Sequence, residues 1–107
     1  MSSSSLSHAA AAVLHAIAEG HRHGFDVIGA TGLPSGTVYP AMRRLEEARL
    51  VRSAWEDARI AQEHQRPPRK YYEITRDGRR ALTAARARYP LLARAGLRPL
   101  RIRTSEG

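Results

Sequence analysis

The chain contains no cysteine. Thiolate metal ligands, a thiol nucleophile and a disulfide frame are thereby excluded, and the absence fits a reducing compartment, with cytoplasm as the expected location. Aromatic residues are scarce too, one Phe, one Trp and four Tyr, so Ala, Leu, Val and Ile must build the interior. No run of about 18 apolar residues occurs, the length a membrane-crossing helix requires. The opening Met1-Ser2-Ser3-Ser4-Ser5 lacks the basic end and apolar stretch of a secretion signal, so neither export nor membrane insertion is expected. Enzyme signatures are also missing: no nucleophile beside a base, no carboxylate pair in an evident cleft and no cofactor loop. Gly32-Leu33-Pro34-Ser35-Gly36 has neither the Lys-Ser/Thr ending of a phosphate loop nor a buried strand before it. The histidines His8, His15, His21, His23 and His64 are not joined by Cys or carboxylate at ligand spacing, so they read as solvated or capping residues and no metal is expected.

What remains is ordinary globular material with an uneven charge. The 107 residues have room for one domain around one core. The formal net charge of +8 points to an anionic partner. Residues 1–75 hold 9 Lys/Arg against 8 Asp/Glu, whereas residues 76–107 hold 9 Arg against 2 acids. The basic surplus therefore sits in the last third of the chain. That series (Arg76, Arg79, Arg80, Arg86, Arg88, Arg94) reads either as the wet side of a helix or as a surface with an anionic counterpart.

Residues 1–5 read as a frayed, disordered end. From Leu6 to about Glu19 the apolar positions Leu6, Ala10, Val13, Leu14, Ile17 and Ala18 follow the period of an amphipathic helix that Gly20 stops. A short helix from Phe25 to about Ala30 presents Phe25, Val27 and Ile28 and ends at Gly32. Pro34, Ser35 and Thr37 carry helix-start chemistry for a third helix to about Ala48, with Val38, Met42 and Leu45 as its buried stripe and Ala41 beside it. Pro40 is tolerable there only near the helix start. Leu50–Glu56 and Arg69–Thr75 are rich in β-formers and read as an antiparallel pair. Trp55 is expected to fill the core beneath that pair. Of Tyr71 and Tyr72, which face opposite ways, one should be core. The charged connection Asp57–Pro68 reads as a protruding wing. Thr75 caps a last helix whose seam is Leu82, Ala85, Tyr89 and Leu92 and which Pro90 bends or ends.

Helix, helix, turn, helix, strand, wing, strand, helix is the order of a winged helix-turn-helix. The fold class expected is mainly α with a small two-stranded antiparallel sheet. Its parts are a winged helix-turn-helix domain over residues 6–75, a C-terminal dimerisation helix over 76–95 and a flexible basic tail over 96–107. In such a motif the start of the third helix enters the major groove. That places Ser35, Gly36, Thr37, Tyr39 and Pro40 at the groove floor, with Arg43 and Arg44 one turn further on, near base edges or phosphates.

Three ordered segments, His23-Gly24-Phe25-Asp26-Val27-Ile28, Ser35-Gly36-Thr37-Val38-Tyr39-Pro40-Ala41-Met42-Arg43-Arg44-Leu45-Glu46 and Arg69-Lys70-Tyr71-Tyr72-Glu73-Ile74-Thr75-Arg76-Asp77-Gly78-Arg79, resemble the signatures of the PadR family of transcriptional regulators. The resemblance implies a homodimeric repressor of an inverted-repeat operator in double-stranded DNA, with Ser35, Thr37, Tyr39 and Pro40 at the start of the recognition helix and Arg66, Arg69 and Lys70 on the wing. It adds a small-molecule effector as a further partner, since some relatives bind one near the dimer interface. Trp55 and the tyrosines are available to line such a site, with nothing converging on one. Two departures stand out: the connection between the second and third helices is short, and a single last helix, interrupted by Pro90, replaces the long C-terminal domain of many relatives. The dimer contact is therefore expected from both end helices, through Leu6, Val13, Leu82, Ala85, Tyr89 and Leu92. The competing reading is a winged-helix protein–protein interaction module, kept open by the near-neutral first 75 residues.

Overall fold

One helix is buried on every side, and the rest of the chain is arranged around it. The computed structural model describes residues 6–92. The expected frayed end at 1–5, the last residues of the expected dimerisation helix and the basic tail at 96–107 lie outside the described residues. Helix α1 (His8–Ala18) starts at Ser7, whose hydroxyl accepts the N–H of Ala10 at 3.1 Å. From Ala10 to Ile17 every residue is buried, which goes beyond the one-sided stripe expected from its periodicity. The physical reason is its alanines: small side chains let α3, α2, α5 and the sheet approach close on all faces.

Helix α2 (Gly24–Thr31) ends at Gly32, which takes the left-handed backbone, φ 74°, that a residue with a side chain adopts only at a cost. Three residues later α3 (Ser35–Glu47) begins. Pro34 occupies its cap position and no side chain caps it, so the Ser35 and Thr37 hydroxyls do not perform the capping expected of them. Val38, Ala41, Met42 and Leu45 form the buried stripe as expected. Pro40 lies inside α3, in its second turn, where its missing N–H frees the carbonyl of Gly36.

Strands β1 (Val51–Trp55) and β2 (Lys70–Ile74) pair antiparallel, with Val51 opposite Ile74 and Trp55 opposite Lys70. The free edge of β2 is covered by Arg22, whose carbonyl accepts the Tyr72 N–H at 2.7 Å and whose guanidinium donates to the Tyr72 carbonyl at 3.2 Å. Between the strands a short helix, α4 (Ala58–Glu63), replaces the open loop read from the sequence. Its signal was present: the Asp57 carboxylate accepts the Arg59 N–H at 2.8 Å, ahead of good helix formers. Tyr72 is the buried member of the tyrosine pair.

Helix α5 (Arg76–Arg88) is capped by Thr75, whose hydroxyl accepts the Gly78 N–H at 3.0 Å and donates to the Arg49 carbonyl at 2.8 Å. At Gly78 the helix passes so near the Leu50 carbonyl that a Cβ would collide with it. The end of α5 is tied to the start of α1, because the Tyr89 hydroxyl donates to the Leu6 carbonyl at 2.9 Å. This packing corrects the expected dimer contact. Val13, Leu82, Ala85 and Leu92 are already enclosed in the core of the single chain, since α1 consumes the one apolar seam that α5 offers. Of the six, only Leu6 and Tyr89 keep partial exposure. No helix among the described residues is long and apolar enough to cross a membrane.

Candidate nucleic-acid interface

The stripe that anchors α3 dictates what its other side offers. With Val38, Ala41, Met42 and Leu45 turned inward, Ser35, Gly36, Tyr39, Arg43 and Arg44 stand exposed, and Thr37 and Pro40 are half-buried. Nothing lies within 4 Å of where a Cβ of Gly36 would stand, so the first turn is open to a large ligand. From Ser35 to Leu45 the helix has no acidic residue. Neither Arg43 nor Arg44 has an ion-pair partner among the described residues, and both side chains are exposed.

Glu46 turns the other way. Its carboxylate accepts the Ser53 hydroxyl at 2.6 Å and lies 3.5 Å from Lys70 Nζ, which clips α3 to both strands. The Ser53 hydrogen bond is the main cause that holds this carboxyl below its ordinary range.

The three wing cations do different things. Arg66 closes on Glu56 through two hydrogen bonds, 2.6 and 2.9 Å, and the Arg69 N–H adds a third at 3.2 Å. These bonds, led by Arg66, push the Glu56 carboxyl down to about 2. The Arg66 guanidinium therefore fastens the base of the wing. Lys70 lies between Glu46 and the rings of Trp55 and Tyr72, 5.9 and 5.7 Å away. Arg69 has no ion-pair partner among the described residues.

Two aromatic residues are placed where the sequence reading did not expect them. Trp55 is 68% exposed instead of filling the core. It shares the inward face of β1 with Val51 and Ser53, but the strand outruns the core, so burial falls from Val51 to Ser53 to Trp55. Phe25 is 76% exposed, because Gly24, Val27 and Ala30 form the buried line of α2 and Phe25 stands off it. The spacing of three between those small residues was the signal that could have revealed it. Tyr39 is 48% exposed and lies across Gly24, close enough that a Cβ there would strike its ring. The start of α3, the start of α2 and the end of the hairpin thus make one continuous surface. Among the described residues no cluster of three potential metal ligands occurs.

Comparison with solved structures supports the fold. A crystal structure of a PadR family transcription regulator from Clostridium difficile R20291 superposes with a TM-score of 0.67 at 18% identity, covering 82% of this chain and 93% of that one. The smu.1704 protein of Streptococcus mutans UA159 superposes with a TM-score of 0.62 at 19% identity, over 87% and 88% of the two chains. No curated protein matches the sequence. Residues 13–84, which include α2, α3 and the whole hairpin, match the transcriptional regulator PadR-like family. The chain belongs to that family, a family of DNA-binding winged-helix regulators and not of enzymes.

Proposed function

We propose that this protein is a repressor that binds an inverted-repeat operator as a homodimer in the cytoplasm, with the start of α3 in the major groove. The observation that carries the reading is the acid-free stretch of α3 from Ser35 to Leu45, which carries Thr37, Tyr39 and, with no ion-pair partner among the described residues, Arg43 and Arg44, and which the core packs from behind through Val38, Ala41, Met42 and Leu45. Arginine pairs with guanine edges or phosphates, and hydroxyls hydrogen-bond to either, so the surface matches duplex DNA. Ser35, Gly36 and Pro40 belong to the same leading turns. Arg69 adds a phosphate contact from the wing, while Arg66 and Lys70 hold the wing in position. The dimer contact lies on surface the single chain leaves open near Leu6 and Tyr89, beside Leu91, which is 64% exposed. Repression follows from occupying a promoter.

The test is selection of bound duplexes from a random pool by the wild type and by Thr37→Ala and Arg43→Ala, with sedimentation at micromolar concentration. The expected result is a palindromic consensus, half-sites about 10 base pairs apart or a multiple of that, degraded by either substitution, and a dimeric protein. A monomer that enriches no sequence overturns the reading.

A further inference from the structure

Half of the aromatic residues of this chain stand in water, and they stand together. Of one Phe, one Trp and four Tyr, the residues Phe25, Tyr39 and Trp55 are 76%, 48% and 68% exposed. All three line one groove of about 400 Å³ between the start of α2, α3 and the end of the hairpin. A fold so poor in rings loses stabilisation by leaving three of them outside its core, and a contiguous exposed apolar patch marks a contact surface. His23, Arg69 and Lys70 complete the wall, and no acidic residue is among those that line it. Lys70 is balanced by Glu46 at 3.5 Å, which leaves Arg69 as the cation able to meet an anion.

We infer that this groove grips one sugar-phosphate strand of the duplex beside the site read by α3, with Phe25 and Trp55 against deoxyribose faces and Arg69 on a phosphate. The inference rests on the DNA-binding reading above and deepens it. Three arguments select this occupant. Tyr39 belongs both to the groove and to the exposed start of α3, so a duplex held by α3 lies alongside the groove. No acidic residue lines the groove and the Arg69 side chain has no ion-pair partner among the described residues, which suits a phosphate. It offers apolar rings beside a cation, and a DNA strand offers apolar sugars between charged phosphates, the part of the duplex that fixes register without reading sequence. Trp55 and Phe25 therefore contribute affinity without charge and without base preference.

Trp55 is the sole tryptophan, so its fluorescence reports on the groove directly. The experiment titrates full-length wild type, Phe25→Ala, Trp55→Ala and Trp55→Phe with a duplex selected by the wild type and with a random duplex, at several salt concentrations, and measures acrylamide quenching of Trp55 in the wild-type complex. Both positions are exposed, and circular dichroism checks that the variants keep their helices. The expected result is that DNA shields Trp55 from acrylamide. Phe25→Ala and Trp55→Ala should each weaken binding to both duplexes by roughly tenfold, Trp55→Phe should restore most of the loss, and the slope of log K against log salt should not change. If the complex forms while Trp55 stays fully quenchable and the variants bind like the wild type, the groove serves another partner, such as a protein, and the inference fails. A loss accompanied by a lower salt slope means that the rings only hold Arg69 in place, which also overturns it. A wild type that binds no duplex removes the DNA-binding reading itself, and this inference with it.

Discussion

Arg43 and Arg66 are the same residue type in two opposite situations, and they predict opposite experiments. The Arg43 guanidinium is exposed and has no ion-pair partner among the described residues, so Arg43→Ala should lower operator affinity and reduce the salt slope by about 0.9, the share of one phosphate, if it contacts backbone. If it contacts a base edge, the loss is about 1–3 kcal/mol and confined to the cognate sequence. Folding stability stays at the wild-type level in both cases. Arg66→Ala should leave the salt slope unchanged and lower the melting temperature, because its two hydrogen bonds to Glu56 hold the wing closed. Equal salt slopes for the wild type and Arg43→Ala, with a reduced slope for Arg66→Ala, would reverse the assignment. Glu56 gives the same clasp a pH signature. Its carboxyl is depressed from 4.5 to about 2, so the stability it contributes is complete above about pH 4.5 and is lost as pH falls toward 2. Acid titration followed by circular dichroism should therefore show Glu56→Gln less stable than wild type at neutral pH, with the difference closing across that window. A constant difference down to pH 2 contradicts the clasp.

At the scale of elements, the contact of α1 with α5 contains the one buried polar residue of the described core, His15, which is 2% exposed. Its Nδ1 lies 3.3 Å from an Arg86 guanidinium nitrogen, so the guanidinium donates and the imidazole accepts. Nε2 has no hydrogen-bond partner among the described residues. Burial, and then the charge of Arg86, lower its pKa below 6.5, with Glu19 acting weakly in the other direction. A histidine lowered in this way binds fewer protons folded than unfolded. The stability it contributes is therefore complete above pH 6.5 and declines as pH falls below that value. Thermal melts between pH 7.5 and 5 should show this decline, and His15→Leu should flatten it, leaving the part due to His23, which burial also lowers. An equally steep decline in the variant rules out His15 as its source. Most elements were legible in the sequence because short-range chemistry sets them: the α3 stripe, the Thr75 cap, Gly32 and the stop at Pro90 all act within a turn or two. Trp55 and α4 were not. Whether the inward face of a strand is buried depends on how far the core extends beneath it, which neighbours in sequence do not encode. α4 was obscured because charge and a Pro-Pro pair suggested an open loop over a stretch whose local caps favour a helical turn.

At the scale of the whole molecule, the buried apolar core among the described residues backs α3, and the outward run of that helix from Ser35 to Leu45 carries no acid. That separation was only partly visible beforehand. The buried and outward residues of α3 could be named from spacing, but the seam of α5 pointed outward to a partner when in the folded chain it closes on α1. The exposed surface also runs wider than α3, since the rings of Phe25, Tyr39 and Trp55 line one groove that reaches α2 and the hairpin. The central claim is that a rigid core presents the leading turns of α3 to base edges. The direct measurement is the ratio of wild-type affinities for a selected palindromic duplex and for its scrambled counterpart, at one physiological salt concentration. The expected ratio is about 10³ or more, collapsing in Thr37→Ala combined with Arg43→Ala. A ratio near one, unaffected by those substitutions, contradicts it.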